Sequence, residues 1–200
     1  MRKISSLALL LLALSAPAFA QTHVFVSGDV FADHKRFSGN STDSTLTATR
    51  AGGGGGIGYQ GSERWDVRGE VEFGGRTTIT RPLVPTVTAF QARTRNRMTT
   101  VSALAGFSPG VGSRVRFTVL GGISFLHSRT QFDSIPSGLV VVPHTDIDNV
   151  VSPTVGVEVP LMLSGHFSVV PALRMNAFTL HTSEMNGFAI RPGVALRWIS

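Results

Sequence analysis

Charged side chains recur at every second position at two places in this 200-residue chain. Asp66, Arg68, Glu70 and Glu72 alternate with Trp65, Val67, Gly69, Val71 and Phe73, and Arg93, Arg95 and Arg97 repeat the spacing farther along. Side chains two apart share one face of an extended strand. The first set therefore offers carboxylates and a guanidinium to counter-ions on facing strands. The second offers three guanidiniums in a row, a donor array suited to phosphate oxygens. His181-Thr182-Ser183 has the spacing of a base beside a hydroxyl nucleophile, and His144 with Asp146 and Asp148 could hold a cation loosely in a loop. The remaining histidines are scattered, and neither a metal centre nor a cofactor is expected.

These groups need strands to position them, and the alternation supplies eight. Strand character runs over about 23–37, 52–60, 65–78, 90–107, 114–131, 150–163, 167–180 and 188–199. The segment over 114–131 sets Val115, Phe117, Val119, Gly121, Ile123 and Phe125 against Arg114, Arg116, Thr118 and Ser124. Over 150–163, Val151, Val155, Val157 and Val159 oppose Ser152, Thr154 and Glu158. The last segment puts Phe188, Ile190, Val194, Leu196 and Trp198 opposite Arg191 and Arg197. The first is the least regular, because Val24, Val26 and Val30 share a face while Phe25 and Phe31 lie on the other. A helical period would mix these sets.

The connections alternate in length. Turns at 61–64, 108–113 and 164–166 are short and rich in Gly, Pro and Ser, residues that supply turn dihedrals. Longer connections are expected at 38–51, 81–89, 134–149 and 181–187. Pairing Tyr59 with Trp65 across the first turn would set Gly52, Gly54, Gly56 and Gly58 opposite Glu72, Glu70, Arg68 and Asp66, making room for the long charged side chains. The same glycines could instead form a linker or phosphate loop, though no GxxxxGK[ST] motif follows.

Residues 1–20 read as a cleaved secretory signal peptide: Arg2 and Lys3 precede the apolar run 7–14, and Ala18-Phe19-Ala20 supplies the small-x-small site. Residues 21–200 then form one domain, with Lys35 as its single lysine and the net charge reduced from +6 to +4. No cysteine is present, which excludes disulfides and thiol chemistry. No Lys/Arg run interleaved with aromatics points to nucleic acid. A chain that is 42% hydrophobic and 15% charged, yet carries no apolar stretch long enough for a spanning helix after the leader, fits a transmembrane barrel, where only alternate residues face lipid. Tyr59, Trp65, Phe107, Phe167 and Trp198 cluster at the short-turn end as one interfacial girdle, which favours a membrane barrel over a soluble carrier. Pro153, Pro160, Pro171 and Pro192 fall inside strand segments, where each removes a ladder donor, so bulges or lost pairing are expected there.

With this leader, eight amphipathic strands, short turns, longer loops and an aromatic-bearing final strand, the chain resembles the small outer-membrane β-barrel superfamily: OmpA-type transmembrane domains and OmpX-like, opacity and OmpW-like proteins. The resemblance implies an all-β, single eight-stranded antiparallel up-and-down barrel with periplasmic turns and extracellular loops. It also implies delivery by the barrel-assembly machinery, although the terminal aromatic of such proteins is here Trp198, followed by Ile199 and Ser200. The chain stops at its last strand, so no cell-wall-binding domain is expected.

An eight-stranded barrel is just wide enough for side chains. Asp66, Arg68, Glu70, Glu72, Arg114, Arg116, Glu158, Arg174, Arg191 and Arg197 are expected to form a lumen charge network that plugs it. Strand geometry puts Arg97 about 25 Å from the turn end, near the outer boundary, where Arg93, Arg95 and Arg97 would contact lipopolysaccharide phosphates. The expected protein is non-enzymatic and serves envelope integrity or surface interaction with an extracellular partner. A narrow ion-selective pore is the alternative. A lipid A deacylase resemblance rests on His181 and Ser183, but the only acid that follows is Glu184, adjacent to the pair.

Overall fold

The computed structural model describes residues 23–39, 45–84, 87–109, 117–135, 142–181 and 185–200. The expected leader, Arg114, Arg116 and Ser183 lie outside them. Ten strands are present among the described residues: β1 (His23–Gly39), β2 (Thr45–Gln60), β3 (Trp65–Phe73), β4 (Thr77–Val84), β5 (Val87–Phe107), β6 (Thr118–Ile135), β7 (His144–Glu158), β8 (Leu161–Met162), β9 (Phe167–Leu180) and β10 (Met185–Ile199). They make eight staves. β3 and β4 are one stave interrupted at 74–76, and β7 and β8 are another interrupted at 159–160. Neighbouring staves pair antiparallel, and β10 pairs with both β9 and β1, which closes the barrel. No helix among the described residues could cross a membrane. Closure pairs the strands' backbone groups with each other, the condition on which strands can cross a membrane.

The described ends of the chain meet at the short-turn end, where Ser200 N donates to Val24 O at 3.0 Å. Four corrections apply to the connections and register. Much of 38–51, 81–89 and 134–149 is strand, not loop: Ser38 pairs with Thr45, Val84 with Val87 and Phe132 with His144. The outer hairpins thus rise as paired ribbons beyond the lipid-facing belt. Second, the segment over 65–78 breaks at Gly74, because three residues, 74–76, stand where β5 contributes Arg97 and Met98. Third, the β2–β3 register is shifted by two, with Tyr59 opposite Val67 and Gly58 opposite Arg68. Gln60 then lies opposite Asp66, which makes the turn wider than the Tyr59–Trp65 pairing required, and within it Ser62 Oγ accepts from the backbone N–H groups of Arg64 and Trp65, at 3.2 Å each. Fourth, two of the glycines make room for rings and not charges: a Cβ on Gly58 would meet the Phe25 ring, and one on Gly52 the Phe31 ring.

The prolines coincide with irregularities. Pro160 lies in the break between β7 and β8, and the β1–β10 pairing skips from Phe31/Gly193 to His34/Ile190 around Pro192. The β7–β9 ladder begins only below Pro153, and near Pro171 it passes from β7 to β8. Each ring removes an N–H, and the ladder gives way beside it.

The outer face carries a belt of apolar side chains, with Val30, Ile57, Ile123, Val151 and Val155 all exposed. A belt of this extent belongs in lipid and not in water. Trp65 and Phe107 pack at 4.6 Å between ring centroids, and Trp198 registers with Phe167. Together with exposed Tyr59 and Phe117 they stand at the short-turn end of the belt.

Candidate functional site

Alternation points every second side chain inward, and what fills the interior differs between its two halves. Toward the turn end lies a continuous ion network. Glu158, with a fully buried side chain, is its centre. It accepts from Arg68 at 2.8 Å, Arg197 at 2.7 Å and Arg174 at 2.9 Å. Arg68 also pairs with Asp66 at 2.7 Å. Arg174 reaches Glu70 at 2.6 Å, Glu72 at 3.0 Å and Asp29 at 3.6 Å. Arg191 bridges Glu72 at 2.7 Å and Asp33 at 3.3 Å while donating to Asn176 and Thr100. Lys35 pairs with Asp33 at 2.8 Å. Phe25 and Phe31 offer ring faces to the remaining guanidinium surface: Arg197 lies 4.6 Å and Arg68 5.3 Å from the Phe25 centroid, and Arg191 lies 5.9 Å from that of Phe31.

All eight described members of the expected network, Asp66, Arg68, Glu70, Glu72, Glu158, Arg174, Arg191 and Arg197, therefore meet in one cluster. Asp29, Asp33 and Lys35 are members that the sequence reading omitted. Their signal was present: they share the odd-numbered face of β1 with Phe25, Phe31 and Phe37. Among the described residues, five cations (Lys35, Arg68, Arg174, Arg191, Arg197) face six carboxylates (Asp29, Asp33, Asp66, Glu70, Glu72, Glu158). The charge is thus nearly balanced, which permits burial that an unpaired ion would forbid.

Next along the axis come hydroxyls: Ser102 and Ser124 hydrogen-bond at 2.6 Å, and Ser124 also bonds Thr154. The outer half carries an apolar cluster of Phe37, Met98, Leu126, Val150, Phe178, Leu180 and Ala189. The sequence reading did not anticipate it. Outward of Met98 and Leu126 on the same strands, Asn96 donates to Ser128 and Thr130 at 2.9 Å each.

On the outside, Arg93, Arg95 and Arg97 lie on the outward parity of β5, continuing the line of Val101 and Ala103. Arg93 is tied to Asp133 at 2.5 Å. Arg97 registers directly with Arg129 of β6, and both are exposed. Like charges side by side across a ladder repel. His127 and Asn149 hydrogen-bond at 2.8 Å one step toward the belt.

The two remaining groupings show no assembled site among the described residues. His181 is exposed at the end of β9, and its companion Ser183 lies outside the described residues. His144 stacks on Phe132 at 4.8 Å while Asp148 is buried in the interior. Among the described residues no three His, Asp or Glu side chains converge as metal ligands.

The family profile described as "Outer membrane protein beta-barrel domain" matches residues 6–194. No curated protein matches the sequence. Among solved structures, Neisserial surface protein A aligns at 12% identity with TM-score 0.57, covering 88% of this chain and 96% of that one. A major outer membrane protein from Thermus thermophilus aligns at 12% identity with TM-score 0.55, over 88% and 99% of the two chains. Ail, the attachment invasion locus protein of Yersinia pestis, solved with the heparin analogue sucrose octasulfate, aligns at 12% identity with TM-score 0.53, over 87% and 98%. With a closed antiparallel barrel of eight staves, a lipid-facing belt and this match over nearly its whole length, the chain belongs to the outer-membrane β-barrel domain family and resides in the outer membrane.

Proposed function

We propose that this protein is a non-enzymatic element of the outer membrane, sealed along its axis and active on its outer surface. The carrying observation is the buried network centred on Glu158. A selective pore needs a water-filled path lined by fixed charge largely of one sign. Five cations locked to six carboxylates, with hydroxyls and then an apolar cluster stacked beyond them, supply neither. Binding then falls to the outside, to the tall hairpins and the exposed arginines. Extracellular partners would meet the hairpins, and the barrel-assembly machinery would deliver the folded chain.

Arg95, Arg97 and Arg129 are the groups that hold lipopolysaccharide phosphates on this reading. Arg93 is the weaker candidate because Asp133 occupies it. The Ail complex with a polysulfated sugar supports the choice of a polyanion as the ligand class for a barrel of this fold. Changing Arg95, Arg97 and Arg129 together to Gln is expected to lower lipopolysaccharide retained by the purified barrel by about tenfold, from the loss of three solvent-facing ion pairs worth about 0.5 kcal/mol each. The strain carrying the variant is expected to become more sensitive to bile salts. Unchanged retention, with the barrel still folded in a heat-modifiability gel, would show that these arginines hold no lipopolysaccharide.

A further inference from the structure

The β7–β9 ladder registers only five positions, from Thr154/Asn176 to Glu158/Ala172. The next position outward would set Pro153 against Ala177. Proline has no N–H to donate to the Ala177 carbonyl, and Ser152 Oγ takes over that bond at 2.6 Å. Beyond this point the two strands part. A cavity of about 560 Å³ opens between them, walled by Val150, Val151, Ala177 and Phe178 and rimmed by Thr179 and His181. Its volume falls within the roughly 300–1,000 Å³ of small-molecule sites.

We propose that this notch receives one acyl chain of an outer-leaflet lipid. The mouth opens sideways, at outward-facing Ala177 and at Val151, which is 68% exposed, onto the surface that the bilayer already covers. Val151 registers with Phe125 at the top of the apolar belt, one step below the His127–Asn149 hydrogen bond that marks its polar edge. A lipid therefore arrives by lateral diffusion, chain first into the apolar walls, with headgroup oxygens at the level of Thr179 and His181. The inner wall is part of the barrel interior, since Val150 and Phe178 belong to the buried apolar cluster. The notch is blind: below it, Asn176 is held between Thr154 and Arg191, and the ion network follows. It is a docking site and not a passage.

The test uses the whole protein folded in phosphatidylcholine vesicles that contain a small fraction of lipid with a diazirine near the end of one acyl chain. After irradiation, adducts are mapped by mass spectrometry. Adducts are expected on inward-facing Val150 and Phe178 as well as on outward-facing Val151. P153V, which restores the missing N–H, is expected to reduce the Val150 and Phe178 adducts by about tenfold, the upper end of what one net hydrogen bond shifts an equilibrium. Adducts on Ile123 and Val155 should stay unchanged. A177F, which fills the mouth and leaves the ladder alone, is expected to give the same loss, so the test survives if the proline variant does not fold. Adducts confined to outward-facing residues, or inward adducts indifferent to both variants, would overturn the proposal. So would inward adducts obtained from a diazirine fatty acid added in water but not from the vesicle lipid.

Discussion

Replacing Glu158 with alanine is expected to destabilise the folded barrel by about 3–5 kcal/mol, the usual consequence of removing one partner from a buried ion pair. Glu158 is the carboxylate that Arg68, Arg174 and Arg197 share. Its removal takes from Arg197 its carboxylate partner and strips one counter-charge from each of the other two, with no solvent to compensate. Arg68 retains Asp66 and Arg174 retains Glu70 and Glu72, which keeps the loss from reaching the full desolvation of three ions. Urea unfolding in lipid vesicles, followed by the fluorescence of Trp65 and Trp198 at the turn end, measures it. A midpoint matching the unaltered protein would mean that the network is not holding the interior together.

Phe37→Ala is expected to cost a similar amount, about 3–5 kcal/mol, for a different reason: a large buried ring leaves a cavity that rigid strands cannot close. Phe37 packs edge-on against Phe178, with centroids 5.8 Å apart, inside the apolar cluster of the outer half. No charge is involved, so this loss should be insensitive to salt. The same urea experiment reads it, and a cost below about 1 kcal/mol would show that the cluster repacks as a soft filling would.

The fold was legible because a barrel writes its two faces into alternate residues. Trp65 to Phe73 and Thr118 to Phe125 carry that pattern without interruption, and they form β3 and the lower part of β6 as the alternation requires. The charged half of the interior was legible for the same reason. What escaped was whatever breaks the rule that polar means inside. Phe25, Phe31 and Phe37 point inward from β1, where their hydrophobicity reads as lipid-facing. Because they disguised the inner face, Asp29, Asp33 and Lys35 were left out of the network. The outer hairpins escaped too, since polar sequences such as Thr45-Leu46-Thr47-Ala48-Thr49 look like loop when no lipid demands an apolar face. Register depended on the first turn, where Ser62 Oγ holds the backbone N–H groups of Arg64 and Trp65 and the first pair is Gln60 with Asp66. The prolines announced their effect, lost pairing, without saying where a cavity would open.

A lumen closed by its own side chains is what confines function to the outer surface, and single-channel recording in planar bilayers tests that closure most directly. The unaltered protein, inserted in verified folded form, is expected to leave the bilayer at its protein-free conductance across both polarities and at high salt. Reproducible conductance steps whose size changes with Glu70→Gln or Arg174→Gln would place moving ions within the network, and would contradict the sealed barrel.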